Sequence, residues 1–269
     1  MKSVFQIKEA AQFIGERIAM RPKTGIVLGS GLGNLVDELE DSLVISYADI
    51  PHFPVSTVLG HRGQLIAGIL QGAPVWVMNG RFHFYEGYEL DEVVFPLFVL
   101  KALGLERLIV TNAAGGLNPE FEPGDLMLIE DIVNLMPASP LRGRNLEEFG
   151  PRFPDMSEAF DGQWIDRTID SASSLGIPLK RGIYVGLTGP KLETRAEVRH
   201  CRLIGGDAVG MSTVSEVIAA NHMGMRVLGL SVITNESIPK SKKEFTHEEV
   251  VKVANLAGKK LLKLIKRIV

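Results

Sequence analysis

Short apolar runs alternate with amphipathic segments along most of the chain. Clustered or alternating apolar and β-branched residues predict strands near 24–29, 42–47, 64–70, 73–79, 107–112, 125–133, 181–187, 206–210 and 226–234. Apolar positions at helical spacing predict helices over 4–20, 31–39, 90–103, 158–175, 194–204, 213–224 and 246–268. The last has a clear start signal, because Thr246 with Glu249 three residues on makes a capping box before Val250, Val253 and Ala254. This order predicts an α/β fold: a single domain over residues 1–269, with a central mixed, largely parallel open sheet flanked by helices. The stretch "LMPASPLRGRNLEEFGPRFPDMS" (135–157) follows neither period and carries four prolines. A loop that long inside a compact domain usually has a function.

Composition narrows the classes. Of 269 residues, 45% are apolar and 23% charged, as in soluble globular proteins. A formal charge of −3 gives no electrostatic reason to expect nucleic acid, so any bound anion must be held by a local cluster. Cys201 is the sole cysteine, which leaves no disulfide framework or cysteine zinc site within one chain and points to a reducing compartment. The N-terminal "MKSVFQIKEAAQFIGERIAM" carries Lys8, Glu9, Glu16 and Arg17 through its apolar pattern, so it reads as an amphipathic helix and not as a signal peptide. The longest uncharged apolar run, "VVFPLFVL" (93–100), is too short to span a bilayer. A cytoplasmic protein with neither a membrane nor a nucleic-acid partner is expected.

The stretch "TGIVLGSGLGNLVDEL" (24–39) joins a predicted strand to a predicted helix through Gly29, Gly31 and Gly33. It departs from the dinucleotide fingerprint: the third glycine is one residue early, and the acidic residue at the right distance, Asp49, lies in a proline-broken segment. No G-x-x-x-x-G-K-[ST] is present, which excludes a P-loop. Ser30 among turn amides suits a small anion such as phosphate; a tight turn with no ligand reads equally well.

Ligands in open α/β sheets sit beyond the carboxyl ends of strands. Just past the predicted strands come Ser30, then "NGRFHFYEG" with Arg81, His83, Tyr85 and Glu86, then "TNAAGG" with a small-residue turn from Ala113 to Gly116, then Met211 and Ser212, then Asn235. Between strands lie His61 in "GHRGQ" and Glu193 in "GLTGPKLETRAE". Singly these have plain structural readings: Arg81 and His83 as surface loop residues, Glu193 as a carboxylate at a helix start, Met211 as core filler. Together they fit one chemistry. Two hydroxyls, an arginine, two histidines and turn amides neutralise and orient a phosphate. Glu193 and Asn235 offer acceptors and a donor to a heterocycle edge, and Tyr85 and Met211 suit a sugar face. Anion, sugar and base groups side by side suggest transfer of a glycosyl group to phosphate. No H-E-x-x-H is present, so there is no case for a metal.

The chain resembles the trimeric purine nucleoside phosphorylases, the family that includes 5′-methylthioadenosine phosphorylase. The likeness runs nearly end to end through "GSGLG", "GHRG", "NGRFHFYEG", "TNAAGGLNPEFEPGD", "PLRGRN", "GPRFPDMS", "GPKLETRAE", "GGDAVGMSTVSE", "ITN" and "THEEV". The resemblance implies a single α/β domain assembled as a homotrimer. It places Ser30, His61, Arg81, His83, Ala113 and Ser212 around phosphate, and Tyr85, Met211 and His247 at the ribose. Glu193 and Asn235 fall at the purine, with Leu192, Val209 and Gly210 beside it, and Phe153 at a position that reaches a neighbouring subunit's site. His83, Glu193 and Asn235 are the implied catalytic groups. Two positions depart from vertebrate-like members, which carry an aromatic where Leu192 stands and a lysine where Glu236 stands. The implied activity is phosphorolysis of purine nucleosides, inosine and guanosine before adenosine, with inorganic phosphate as co-substrate and no cofactor; a 5′-methylthioadenosine/adenosine phosphorylase of the same family or a non-catalytic nucleoside-binding protein are the alternatives.

Overall fold

The chain begins its first helix, Val4–Arg17 (α1), where Ser3 and Gln6 satisfy each other's backbone amides in a capping box. Ile7, Ala10, Ala11 and Ile14 form its buried stripe, and it ends at Arg17, short of the expected Met20, because Ile18 is already extended. The computed structural model describes residues 3–56, 62–237 and 247–269, with side chains from 252 onward in the last stretch. His61, the His247 side chain and the Thr246–Glu249 capping box therefore lie outside the described residues.

All the predicted strands form: Thr24–Val27 (β1), Glu40–Ser46 (β2), Gln64–Leu70 (β3), Ala73–Asn79 (β4), Arg107–Gly116 (β5), Leu126–Asn134 (β6), Leu179–Gly186 (β7), Ala208–Gly210 (β8) and Arg226–Glu236 (β9). They make a nine-stranded sheet in the order β2-β3-β4-β1-β5-β8-β7-β6-β9. It is mixed, with parallel pairing at its centre (β4–β1–β5–β9) and antiparallel pairing at β2–β3–β4, β5–β8 and β6–β9. The expected open sheet is corrected in one respect. Strand β9 pairs with β5 along its whole length, so β5, β8, β7, β6 and β9 close into a ring, from which β1, β4, β3 and β2 extend as a wing.

Alternate strand residues feed two cores. Val27, Trp76, Met78, Leu108 and Val110 pack with α1 and with helices Phe95–Ala102 (α3) and Val214–His222 (α6) on one face. Ile26, Leu28, Val75, Val77 and Ile109 pack on the other with Trp164 of Gly162–Ser174 (α4) and with Leu261, Leu264 and Ile265 of His247–Ile268 (α7). Helix Arg195–Leu203 (α5) buries Val198 and Cys201 in a smaller cluster with Val185 of β7 and Val209 of β8. Among the described residues no helix is long and apolar enough to cross a membrane.

Three predicted elements differ. The helix over 90–103 splits into Leu90–Val93 (α2) and α3, since Pro96 has no amide to bond back across the join. The helix over 31–39 is a 3₁₀ turn, Gly33–Glu38, and the Gly29 amide is already committed to Thr111 Oγ1 at 3.1 Å, so "GSGLG" does not present an α-helix N-terminus to a ligand. The Ala113–Gly116 "turn" is instead the end of β5. Small residues are required there: a Cβ on Gly115 would lie 2.5 Å from Ser237 Oγ and 3.3 Å from Asn235 Nδ2.

Candidate active site

Along one edge β5 pairs with β1 from Arg107 to Val110 and with β8 at Gly115 and Gly116. Between those two partners the edge opens, and a cavity of about 410 Å3 fills the gap. Ser30, Ala113, Val209, Gly210, Met211, Ser212 and Asn235 line it from the strand ends, Arg81, His83 and Tyr85 from the turn after β4, and Leu192 and Glu193 from the approach to α5. Residues from six separate stretches thus converge as the chemistry of each had suggested. Phe153 does not join them within this chain; it stands 87% exposed on the irregular segment between β6 and α4. Ala114, Gly115, Pro190 and Thr234 also line the cavity and were not singled out from the sequence, where each reads as part of a strand or turn.

Arg81, His83 and Ser212 form a densely bonded part of the lining, in which Arg81 and His83 are buried. Arg81 is only 2% exposed; its Nη1 donates to the Thr111 carbonyl at 2.8 Å and to Ser212 Oγ at 3.2 Å. Its Nε and Nη2 donate to the two oxygens of Glu216, at 3.0 and 3.3 Å. Glu216 escaped notice in the sequence because "TVSE" reads as a helix start, with nothing to reveal a partner 135 positions away. The His83 amide and Nδ1 both meet Glu86 Oε1, at 2.9 and 2.8 Å, and the ring stacks on Tyr85 with centroids 4.6 Å apart. Burial pushes the Tyr85 phenol up to about 12, so it stays a neutral hydroxyl. Ser212 is held by the Tyr184 hydroxyl, which accepts from its amide at 3.3 Å.

Leu192, Glu193 and Asn235 are less buried. Glu193 immediately precedes Thr194, whose hydroxyl caps α5 and accepts from the Glu197 amide. Partial burial raises the Glu193 carboxyl above the usual glutamate value, outweighing the pull of Lys191. Lys191 is drawn instead to Glu197, 2.8 Å from both its oxygens. Asn235 Oδ1 accepts from the Thr234 hydroxyl at 3.0 Å, which turns the amide nitrogen away from that contact. Leu192 is 62% exposed. Among the described residues no cluster of histidine, cysteine, aspartate or glutamate could hold a metal.

The state of His83 has a measurable consequence. Burial holds its imidazole below the ordinary histidine value despite the Glu86 carboxylate. In the unfolded chain the same ring protonates near pH ~6.5, so the folded state binds fewer protons just below that pH. Stability is complete above ~6.5 and is lost as pH falls toward the depressed folded value. His222, also pushed down by burial, acts in the same direction. Replacing His83 by Gln should flatten part of the decline in urea midpoint between about pH 7 and pH 5. A midpoint that falls as steeply in the variant contradicts this account.

Residues 23–269 match the family model described as the phosphorylase superfamily. The chain is 53% identical over 264 residues to purine nucleoside phosphorylase 1 of Bacillus subtilis, covering 98% of this chain and 97% of that one. It is 48% identical to purine nucleoside phosphorylase of Bos taurus, over 94% of this chain and 90% of the other. The crystal structure of Schistosoma mansoni purine nucleoside phosphorylase in complex with adenosine superposes with a TM-score of 0.93 at 38% identity, covering 99% and 96% of the two chains. With this fold, this cavity and these relatives, the chain belongs to the purine nucleoside phosphorylases of the phosphorylase superfamily.

Proposed function

We propose that the protein catalyses the reversible phosphorolysis of purine ribo- and 2′-deoxyribonucleosides, giving the free base and (deoxy)ribose 1-phosphate, with inosine and guanosine preferred. The observation that carries this reading is that one cavity is lined both by Ser30, Arg81, His83 and Ser212 and by Glu193 and Asn235. Its size is in the range of about 300–1,000 Å3 typical of small-molecule sites. In this reading inorganic phosphate, held by Ser30, Arg81, His83, Ser212 and the Ala113 amide, lies next to C1′, with Tyr85 and Met211 against the sugar. As the C1′–N9 bond breaks, its electron pair passes to the purine and the ribose becomes an oxocarbenium-like cation, which a phosphate oxygen then captures at C1′. The phosphate dianion stabilises that cation, and the Asn235 amide meets the charge that develops at N7 or the 6-oxygen. Both interactions strengthen only toward the transition state. No cofactor is needed. Turnover of inosine should therefore require phosphate and yield ribose 1-phosphate; release of hypoxanthine at an equal rate in phosphate-free buffer would refute the reading.

Base choice rests on Glu193. A carboxylate with a raised pKa in a partly dry pocket gains most from a substrate N–H, which inosine and guanosine present at N1 and adenosine does not. Sites built around a substrate N–H reject analogues lacking it by up to about 10⁴-fold. Glu193→Gln should narrow the inosine-to-adenosine ratio of kcat/KM, and Asn235→Asp should shift it toward adenosine. Acidification should narrow it as well, because Glu193, protonated at higher pH than an ordinary glutamate, becomes a donor to adenosine N1. A ratio indifferent to pH and to Glu193→Gln rules the argument out.

The exposed Phe153 supports a homotrimer in which each subunit lends this ring to its neighbour's site. Fully exposing one phenyl ring forgoes burial worth about 1.5–3 kcal/mol, and the segment bearing it is anchored rather than loose. Phe149 packs edge-on to Phe98 at 5.3 Å, and Arg152 donates to the Leu141 carbonyl at 3.1 Å. Phe153→Ala should raise the nucleoside KM while leaving thermal stability and the phosphate KM close to their original values. Sedimentation of a fully active monomer would overturn the assembly.

A further inference from the structure

Glu216 stands behind Arg81, outside the cavity lining, and is only 5% exposed. Besides holding Arg81 with both oxygens, it accepts from the Thr213 amide at 2.7 Å. Thr213 sits at φ 71° and ψ −51°, with the Val214 amide closing back on the Ser212 carbonyl at 2.7 Å. This is the strained, positive-φ form of the γ-turn, in a β-branched residue, and such strain persists only where the surroundings enforce it. Glu216 and Asn112, whose Nδ2 donates to Thr213 Oγ1 at 2.8 Å, do the enforcing. One carboxylate therefore fixes both the cation and the hydroxyl-bearing turn that face the anion, and sets the distance from Arg81 Nη1 to Ser212 Oγ.

The pair has an electrostatic result as well. At the distance of the sugar, a buried cation and a carboxylate 3 Å behind it nearly cancel. An unpaired buried arginine would bind a dianion tightly and cancel the dianion's field at the reacting carbon. We propose that Glu216 is a positioning residue that balances Arg81, so that phosphate is held by hydrogen bonds with its negative charge left to act on the cationic sugar. The proposal rests on the reading that phosphate binds beside Arg81 in the cavity.

Initial rates against phosphate and against inosine test it. The unaltered enzyme is measured first: turnover without phosphate would refute the functional reading itself, whereas the variants bear only on Glu216. Glu216→Gln keeps a residue suited to the capping position and removes the charge. It should lower the phosphate KM by about threefold or more and lower kcat, with the inosine KM unchanged. Arg81→Met should raise the phosphate KM more than about tenfold, since it leaves a bare carboxylate facing the anion. The double variant Arg81→Met/Glu216→Gln removes both charges of the buried pair while keeping an amide oxygen to accept from the Thr213 N–H. It should recover at least about threefold of that loss. A residue needed only for packing would give no such rescue. An unchanged or higher phosphate KM in Glu216→Gln, or a double variant no better than Arg81→Met, overturns the proposal. If Glu216→Gln by itself, with Arg81 left unpaired, shows no cooperative thermal transition, the double variant, which carries neither charge, decides alone.

Discussion

Strand β5 is the constraint on which the rest depends. It is hydrogen bonded to β1, β8 and β9, and so belongs at once to the wing and to the ring. Three partners are possible because the strand changes neighbours along one edge, from β1 at Val110 to β8 at Gly115, and because its last residues have almost no side chains. The ring can close only if β8 and β9 approach Gly115 and Gly116 directly. The same change of partner leaves the middle of the edge uncovered, and the cavity lies there. Fold closure and site formation are one geometric event. It is the switch-point logic of open α/β sheets, carried into a sheet that has partly rolled up. Close approach recurs at the start of the gap, where a Cβ on Gly29 would lie 2.7 Å from Asn112 Cα.

That geometry sets the dielectric of the site. Arg81 and His83 enter from the turn after β4, below the level of the open edge, and are 2% and 7% exposed. A buried cation such as Arg81, or a buried imidazole N–H such as that of His83, is costly unless it has a partner. Each has its carboxylate: Glu216 for Arg81 and Glu86 for the His83 ring. The two carboxylates also cap the short helices that follow, Glu216 at the start of α6 and Glu86 at the 3₁₀ turn Phe84–Glu86. Electrostatic balance and local backbone structure therefore come from the same side chains. Moving either carboxylate disturbs the turn and the charge together.

Much of this was legible in the sequence, and what was missed has a physical pattern. Strand positions followed from β-branched runs whose alternate residues face two different cores, as in Val75 to Met78. The chemistry gathered at strand ends because fold topology puts those ends together. What the sequence hides is anything set by pairing across long separations. Closure of the ring through β9, the partnership of Arg81 with Glu216 and the role of Ala113 to Gly116 as strand all depend on such contacts. "TNAAGG" has the composition of a turn, and only its neighbours on both edges hold it extended. The 3₁₀ turn after β1 shows the converse. Its apolar spacing suits a helix, but the chain must reach β2 at Glu40, and a tighter turn spans the gap.

Rigidity is distributed unevenly across the cavity, in a way that matches its proposed division of labour. The residues assigned to phosphate include Arg81, buried against Glu216, and His83, buried against Glu86. Those assigned to the purine include Leu192, 62% exposed, Glu193 just ahead of α5, and the strand residue Asn235. A reaction centre tolerates little displacement, since misplacing reacting atoms by about 1 Å can cost on the order of 10²-fold in rate. Recognition of a heterocycle edge tolerates more, because side-chain amides and carboxylates can turn to meet it. In the proposed reading, a substitution at Leu192 alters which base is taken without touching the residues assigned to the anion. A fold organised in this way can change its nucleoside while keeping its reaction.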